Sequence, residues 1–165
     1  MIFSDECYLK DKCWKYHNCD AECKHSNIYC PKLFRTDFLF NESLLSNKQR
    51  KYIPLRIDED GTDREAFSRL KSIETHIDQF VESGANLFLH SQRCGNGKTA
   101  WATRLIQAYI DKIWHKSDLE CRALFIHIPR FLLALKDSIS NNNEYVNHVK
   151  KNFLTADIVV FVYSI

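Results

Sequence analysis

Asn86-Leu87-Phe88-Leu89-His90-Ser91-Gln92-Arg93-Cys94-Gly95-Asn96-Gly97-Lys98-Thr99 is the stretch on which the reading of this chain turns. An apolar run from Asn86 to His90 passes into a glycine-bearing loop, and the loop closes on Lys-Thr where a helical pattern begins. The run reads as a short buried strand. Gly95 and Gly97 allow the left-handed or tight backbone that turns successive amides inward. Lys98 places a point charge on the β- and γ-phosphates of a nucleoside triphosphate, and Thr99 offers a hydroxyl to Mg2+. Gly95, Asn96, Gly97, Lys98, Thr99 and Ala100 are therefore the candidate ATP-binding residues, with the positive end of the following helix adding to them. The usual spacing would put a first glycine at Gln92, which bears on affinity more than on the identity of the loop. A chance Gly-Asn-Gly-Lys turn between a strand and a helix is the plainer alternative.

Working outward, Thr62 and Glu65 have capping-box spacing, and Ala66, Leu70, Ile73, Ile77 and Phe80 recur at helical intervals up to Gly84. The spacing predicts a helix over about 63–83. Beyond the loop, Ala102, Leu105, Ile106, Tyr109, Ile110 and Ile113 form one apolar stripe on a helix over about 98–115. Arg122 to Ile128 predicts a second strand. Pro129 opens a helix with Phe131, Leu132 and Leu135 as its expected buried face, and a further helix over about 144–153 uses Tyr145, Val149 and Phe153. Ile158-Val159-Val160-Phe161-Val162 is a third apolar strand. Strand, helix, strand, helices, strand is the alternation of a parallel α/β sheet. The expected fold class is α/β: part of a P-loop NTPase sheet with helices, preceded by a small cysteine-rich region.

That region is set apart by its chemistry. The chain has 7 cysteines, and Cys7, Cys13, Cys19, Cys23 and Cys30 all precede Pro31. Without a secretion signal, such a cluster points to a metal site before a disulfide framework. Cys7, Cys13, Cys19 and Cys23 are the candidate Zn2+ ligands, four thiolates suiting a closed tetrahedral site, with Cys30, His17 and His25 as substitutes. Reduced structural cysteines and a redox or iron–sulfur role are the alternatives. Cys94 reads as a loop spacer. Pro54 and Asp58-Glu59-Asp60-Gly61 read as an irregular connection. The expected division is a zinc-binding region over 1–36, a linker over 37–61 and the start of an ATPase domain over 62–165.

Composition is that of an ordinary globular chain: 165 residues, 45% hydrophobic, 27% charged, formal net charge +2. No apolar run reaches the length of a membrane span, and the first residues lack the basic and apolar segments of a signal peptide. A cytoplasmic protein is expected.

The segment from about Asn86 to Phe161 resembles the DnaC-like helicase loaders of bacteriophages, AAA+ ATPases of replication initiation. The resemblance is carried by Leu87-Phe88-Leu89-His90-Ser91, by Gly95 to Thr99 with Ala100-Trp101-Ala102, by Leu124-Phe125-Ile126-His127-Ile128-Pro129, and by Ala156-Asp157-Ile158-Val159-Val160-Phe161. It implies binding of ATP with Mg2+ and of single-stranded DNA, and engagement of a replicative DNA helicase through the cysteine-rich start. In that family the last strand finishes on two acidic residues, one holding magnesium through water and one polarising the attacking water. Val162-Tyr163-Ser164-Ile165 stands there instead, and neither Val162 nor Tyr163 can act as a base or ligate a hard cation. A hydrolysis-deficient, truncated loader is therefore expected. The family's next strand would lie between the loop strand and the last one, so unpaired edges and self-association are expected as well. A gene fragment and a chain shortened into a regulator both stay open. Competing functions are a zinc-dependent interaction module with a vestigial loop, and another P-loop enzyme such as a transposition helper ATPase or a nucleotide kinase.

Overall fold

The computed structural model describes residues 31–51, 54–55, 63–90, 95, 97–116, 118–139 and 141–163. The four candidate zinc cysteines, Cys94 and Asn96 lie outside the described residues. Eight elements follow in order: α1 (Pro31–Glu42), α2 (Arg64–Thr75), α3 (Ile77–Glu82), α4 (Lys98–Ile113), β1 (Ala123–His127), α5 (Ile128–Asp137), α6 (Glu144–Asn152) and β2 (Ile158–Val162). The class is α/β, as expected.

β1 and β2 pair in parallel, with Ala123 opposite Ile158 and His127 opposite Val162. Strand alternation sends successive side chains to opposite faces. Ala123 and Phe125, with Ile158, Val160 and Val162, pack against Leu39 and Phe40 of α1 and Ala102, Ile106 and Ile110 of α4. Leu124 and Ile126, with Val159, face the other way and meet Val149 of α6 and Phe131 of α5. Helices thus cover both faces of the pair, which is why both strands read as continuous apolar runs.

The α4 stripe is as the spacing predicts, and burial extends to Trp101, Thr103 and Gln107. The reason is a second packing partner: α2 and α3 lie along the other side of α4, where Leu70 and Ile77 join Trp101, Leu105 and Tyr109.

Four expectations are corrected. The helix expected over 63–83 is broken at His76 (φ −114°, ψ 37°) into α2 and α3, and the break delivers Ile77 to full burial. Its N-cap is Asp63, without a side-chain cap, and Glu65 pairs forward with Arg69 at 2.7 Å; Thr62, the expected capping hydroxyl, lies outside the described residues. Residues 86–90 are not a buried strand: Leu87 is 39% and Phe88 86% exposed, and only Leu89 turns toward the α4 cluster. A strand exists through lateral hydrogen bonds, and among the described residues β1 and β2 make a two-stranded sheet that does not include this segment. The stretch expected as a linker from residue 37 holds the second half of α1 and the turn after it. There Leu39, Phe40 and Leu45 are among the most buried side chains. Finally, Leu132 of α5 and Phe153 after α6, expected inside, are 57% and 41% exposed, while Val146 takes the interior position on α6.

Polar contacts fix the ends of these elements. Phe125 N donates to Ser43 O at 2.9 Å, so the turn after α1 covers the edge of β1 remote from β2. Gln107 of α4 donates to the carbonyls of Gln49 and Lys51 at 2.7 and 3.3 Å, tying down the chain beyond that turn. Asn143 caps α6 by accepting from Val146 N at 3.2 Å.

Candidate phosphate-binding site

Gly97 is the N-cap of α4 and sits in the left-handed region at φ 84°; Gly95 does so at φ 81°. An L-residue held there costs about 1–2 kcal/mol, so both positions favour glycine on backbone grounds alone. Around Gly95 a Cβ would meet nothing within 4 Å, which makes its requirement purely conformational. The carbonyl of Gly97 accepts from Trp101 N at 2.8 Å, starting the α4 ladder. Gly97 has no side chain with which to cap this end, and no acidic residue stands in the first turn. The first amides of a helix have no acceptor inside it, so an anion at this end would meet donors and the positive end of the dipole. Lys98 is half-buried, Thr99 exposed and Ala100 half-buried, which leaves the Thr99 hydroxyl accessible.

The position of this loop relative to the sheet follows from α4. Tyr109 Oη donates to Asp157 Oδ2 at 2.8 Å, and Asp157 immediately precedes β2. Arg122, immediately before β1, pairs with the same carboxylate at 2.8 Å. The Tyr109 end of α4 therefore lies at the N-terminal edge of the sheet. From Tyr109 back to Lys98 the helix runs about 16 Å at 1.5 Å per residue, and β2 runs about 16 Å in the same interval. Ala102, Ile106 and Ile110 pack α4 on the face formed by Ala123, Phe125, Ile158 and Val160, so its start, about three turns back from Tyr109, lies away from the N-terminal edge.

No family model, curated protein or solved structure matches the chain.

The Tyr109–Asp157–Arg122 cluster belongs to the N-terminal edge of the sheet and serves the fold. Burial, then the hydrogen bond and charge of Asp157, push the Tyr109 phenol far above its usual range, so it stays a donor. Cys121 is likewise structural. Burial first, then the charge of Glu42, push its thiol up to about 11. At 4% exposure it is a poor nucleophile.

Sequence reading missed the brace behind the loop. Trp101 is 7% exposed, and the edge of its ring meets Phe67 of α2 at 5.2 Å between centroids and 77° between planes. One turn on, Arg104 Nε lies 2.6 Å from Glu74 Oε1, and Lys71 Nζ lies 2.8 Å from Glu74 Oε2. Burial alone would raise the Glu74 carboxyl, but the hydrogen bonds and charges of Lys71 and Arg104 hold it below its ordinary value. Phe67, Leu70 and Glu74 share one face at i, i+3 and i+7, and that spacing was the available signal; Ala66, read as part of the buried face, is exposed.

Among the described residues no group of three or more His, Cys, Asp or Glu side chains is arranged to hold a metal ion. No helix among them is long and apolar enough to cross a membrane.

Proposed function

We propose that the chain binds ATP with Mg2+ through Gly95 to Ala100 and acts in DNA replication as a protein of the helicase-loader kind, without hydrolysing the nucleotide. The observation that carries the ATP part is the loop itself: two left-handed glycines, the second of them the N-cap of α4, with Lys98 and Thr99 next in sequence. The replication role rests on the resemblance in the residues around Trp101 and along β1 and β2. A replicative helicase and single-stranded DNA are the corresponding partners, and self-association through the outer edge of β2 belongs to the same reading. Loss of hydrolysis rests on β2. Its C-terminal end carries Val162 and then Tyr163, so this strand ends without a carboxylate. The test is binding of a fluorescent ATP analogue with Mg2+ to the whole chain. Saturable binding that Lys98→Ala abolishes is expected, and binding unchanged by that substitution sinks the assignment.

The cysteine spacing favours a second reading, a zinc-dependent module that grips the helicase while the loop is vestigial. Zinc stoichiometry of the purified chain, and helicase capture before and after chelation, separate the two. Capture lost on chelation together with no nucleotide binding supports the module.

A further inference from the structure

Each end of α4 is held by a different part of the molecule. Near its C-terminal end Tyr109 is bonded to Asp157 beside the sheet, 2.8 Å away. At its N-terminal end the contacts are with α2: the Trp101 ring against Phe67, and Arg104 against Glu74. The N-cap Gly97 has no side chain, and the amides of the first turn point along the helix, so their direction in space is the direction of the α4 axis. A tilt of about 10° about Tyr109 would carry the first turn roughly 3 Å sideways, 11 residues away at 1.5 Å each. That exceeds what a set of hydrogen bonds to one phosphate tolerates.

Trp101 also reaches the loop directly. Its N–H holds the Gly97 carbonyl at 2.8 Å, and its indole Cδ1 lies 3.9 Å from where a Cβ on Gly97 would stand. The ring thus packs on α2 through Phe67 and lies within reach of position 97, where glycine leaves room beside it.

We propose that Phe67 and Trp101 are positioning residues for the triphosphate site, with α2 bracing the start of α4 so that the loop's amides keep a fixed aim at the phosphates. This rests on the phosphate-site reading. The effect is bounded by what the ring contact is worth, so removing it weakens binding by roughly three- to tenfold and does not abolish it.

The test compares affinities of the whole chain for a fluorescent ATP analogue with Mg2+, alongside melting curves. Phe67→Ala is expected to bind several-fold more weakly, and Trp101→Phe, which keeps a ring at that position, close to wild type. Ile77→Val shortens a buried side chain of the same cluster remote from the loop, and is expected to lower the melting temperature with affinity unchanged. Where Phe67→Ala fails to fold, Phe67→Leu is measured in its place, since it keeps apolar bulk and loses the ring edge. Wild-type affinity in the folded Phe67 variant, or an equal loss in Ile77→Val, overturns the positioning role and leaves the phosphate site standing. A wild-type chain that binds no analogue overturns the site itself, and the brace with it.

Discussion

Thr103 shows how finely the interior of α4 is set. It is 1% exposed, and its Oγ1 has no hydrogen-bond partner among the described residues. A buried hydroxyl without a partner carries its desolvation cost uncompensated. Thr103→Val keeps the shape and removes the hydroxyl, and is expected to stabilise the fold by about 1 kcal/mol, read as a raised denaturant midpoint. Gly97 is the opposite case. At φ 84° an alanine is strained whatever space surrounds it, so Gly97→Ala should lower the denaturant midpoint by an amount matching about 1–2 kcal/mol. An unchanged midpoint would mean that the loop relaxes out of the left-handed conformation. Cys121 differs from a reactive thiol by environment alone. With its pKa pushed up to about 11, it should resist alkylation at pH 8 in the folded chain and react once the chain is unfolded, as peptide mass spectrometry would show.

At the scale of elements, what the sequence made legible depended on whether an element is stabilised by its own neighbours. α4 could be read closely because one periodic stripe specifies a helix whatever lies beside it. β1 and β2 were legible because runs such as Ala123–His127 and Ile158–Val162 suit strands with helices on both faces. The run 86–90 is likewise apolar at Leu87, Phe88 and Leu89, yet apolar character cannot supply a lateral partner, and the segment is left out of the two-stranded sheet. α1 was missed for another reason. Its buried positions Thr36, Leu39 and Phe40 follow helical spacing, but they are embedded in a polar sequence that reads as a connection. At the candidate site the glycines and Lys98 were legible as a motif, while the brace at Phe67, Trp101 and Glu74 needed knowledge of which helices touch. The ion pairs in that brace carry a pH signature. The Glu74 carboxyl is held below its ordinary value in the folded state, so its contribution to stability is present above the unfolded glutamate range and is lost as pH falls through the lowered folded value. Glu74→Gln should flatten that acid limb of the stability profile, and an identical limb in both proteins would place the acid sensitivity elsewhere.

At the scale of the molecule, the site and the core are mechanically continuous. β1 has one edge against β2 and the other covered by the turn at Ser43, while Phe161 of β2, opposite Ile126 and beside Phe153, is 55% exposed. α4 is the member that spans from the sheet to α2 and α3. A ligand gripping the start of α4 binds the folded arrangement and has no counterpart in the unfolded chain, where the amides of Gly97 to Ala100 point in no common direction. Linkage then requires that the ligand raise the stability of the whole packed unit. A hundredfold excess of MgATP over its Kd contributes about 2.7 kcal/mol, enough to raise the melting temperature by roughly 5–10 °C in a domain of this size. The rise should grow with the logarithm of nucleotide concentration. Lys98→Ala should lose it, the rise being read against that variant's own ligand-free melting temperature. Chelating the magnesium should reduce the shift, because in the proposed site the Thr99 hydroxyl and the metal would act together on the same phosphates. A melting temperature indifferent to nucleotide at every concentration would separate the loop's geometry from any ligand, and would leave the glycines and the brace as features of the fold alone.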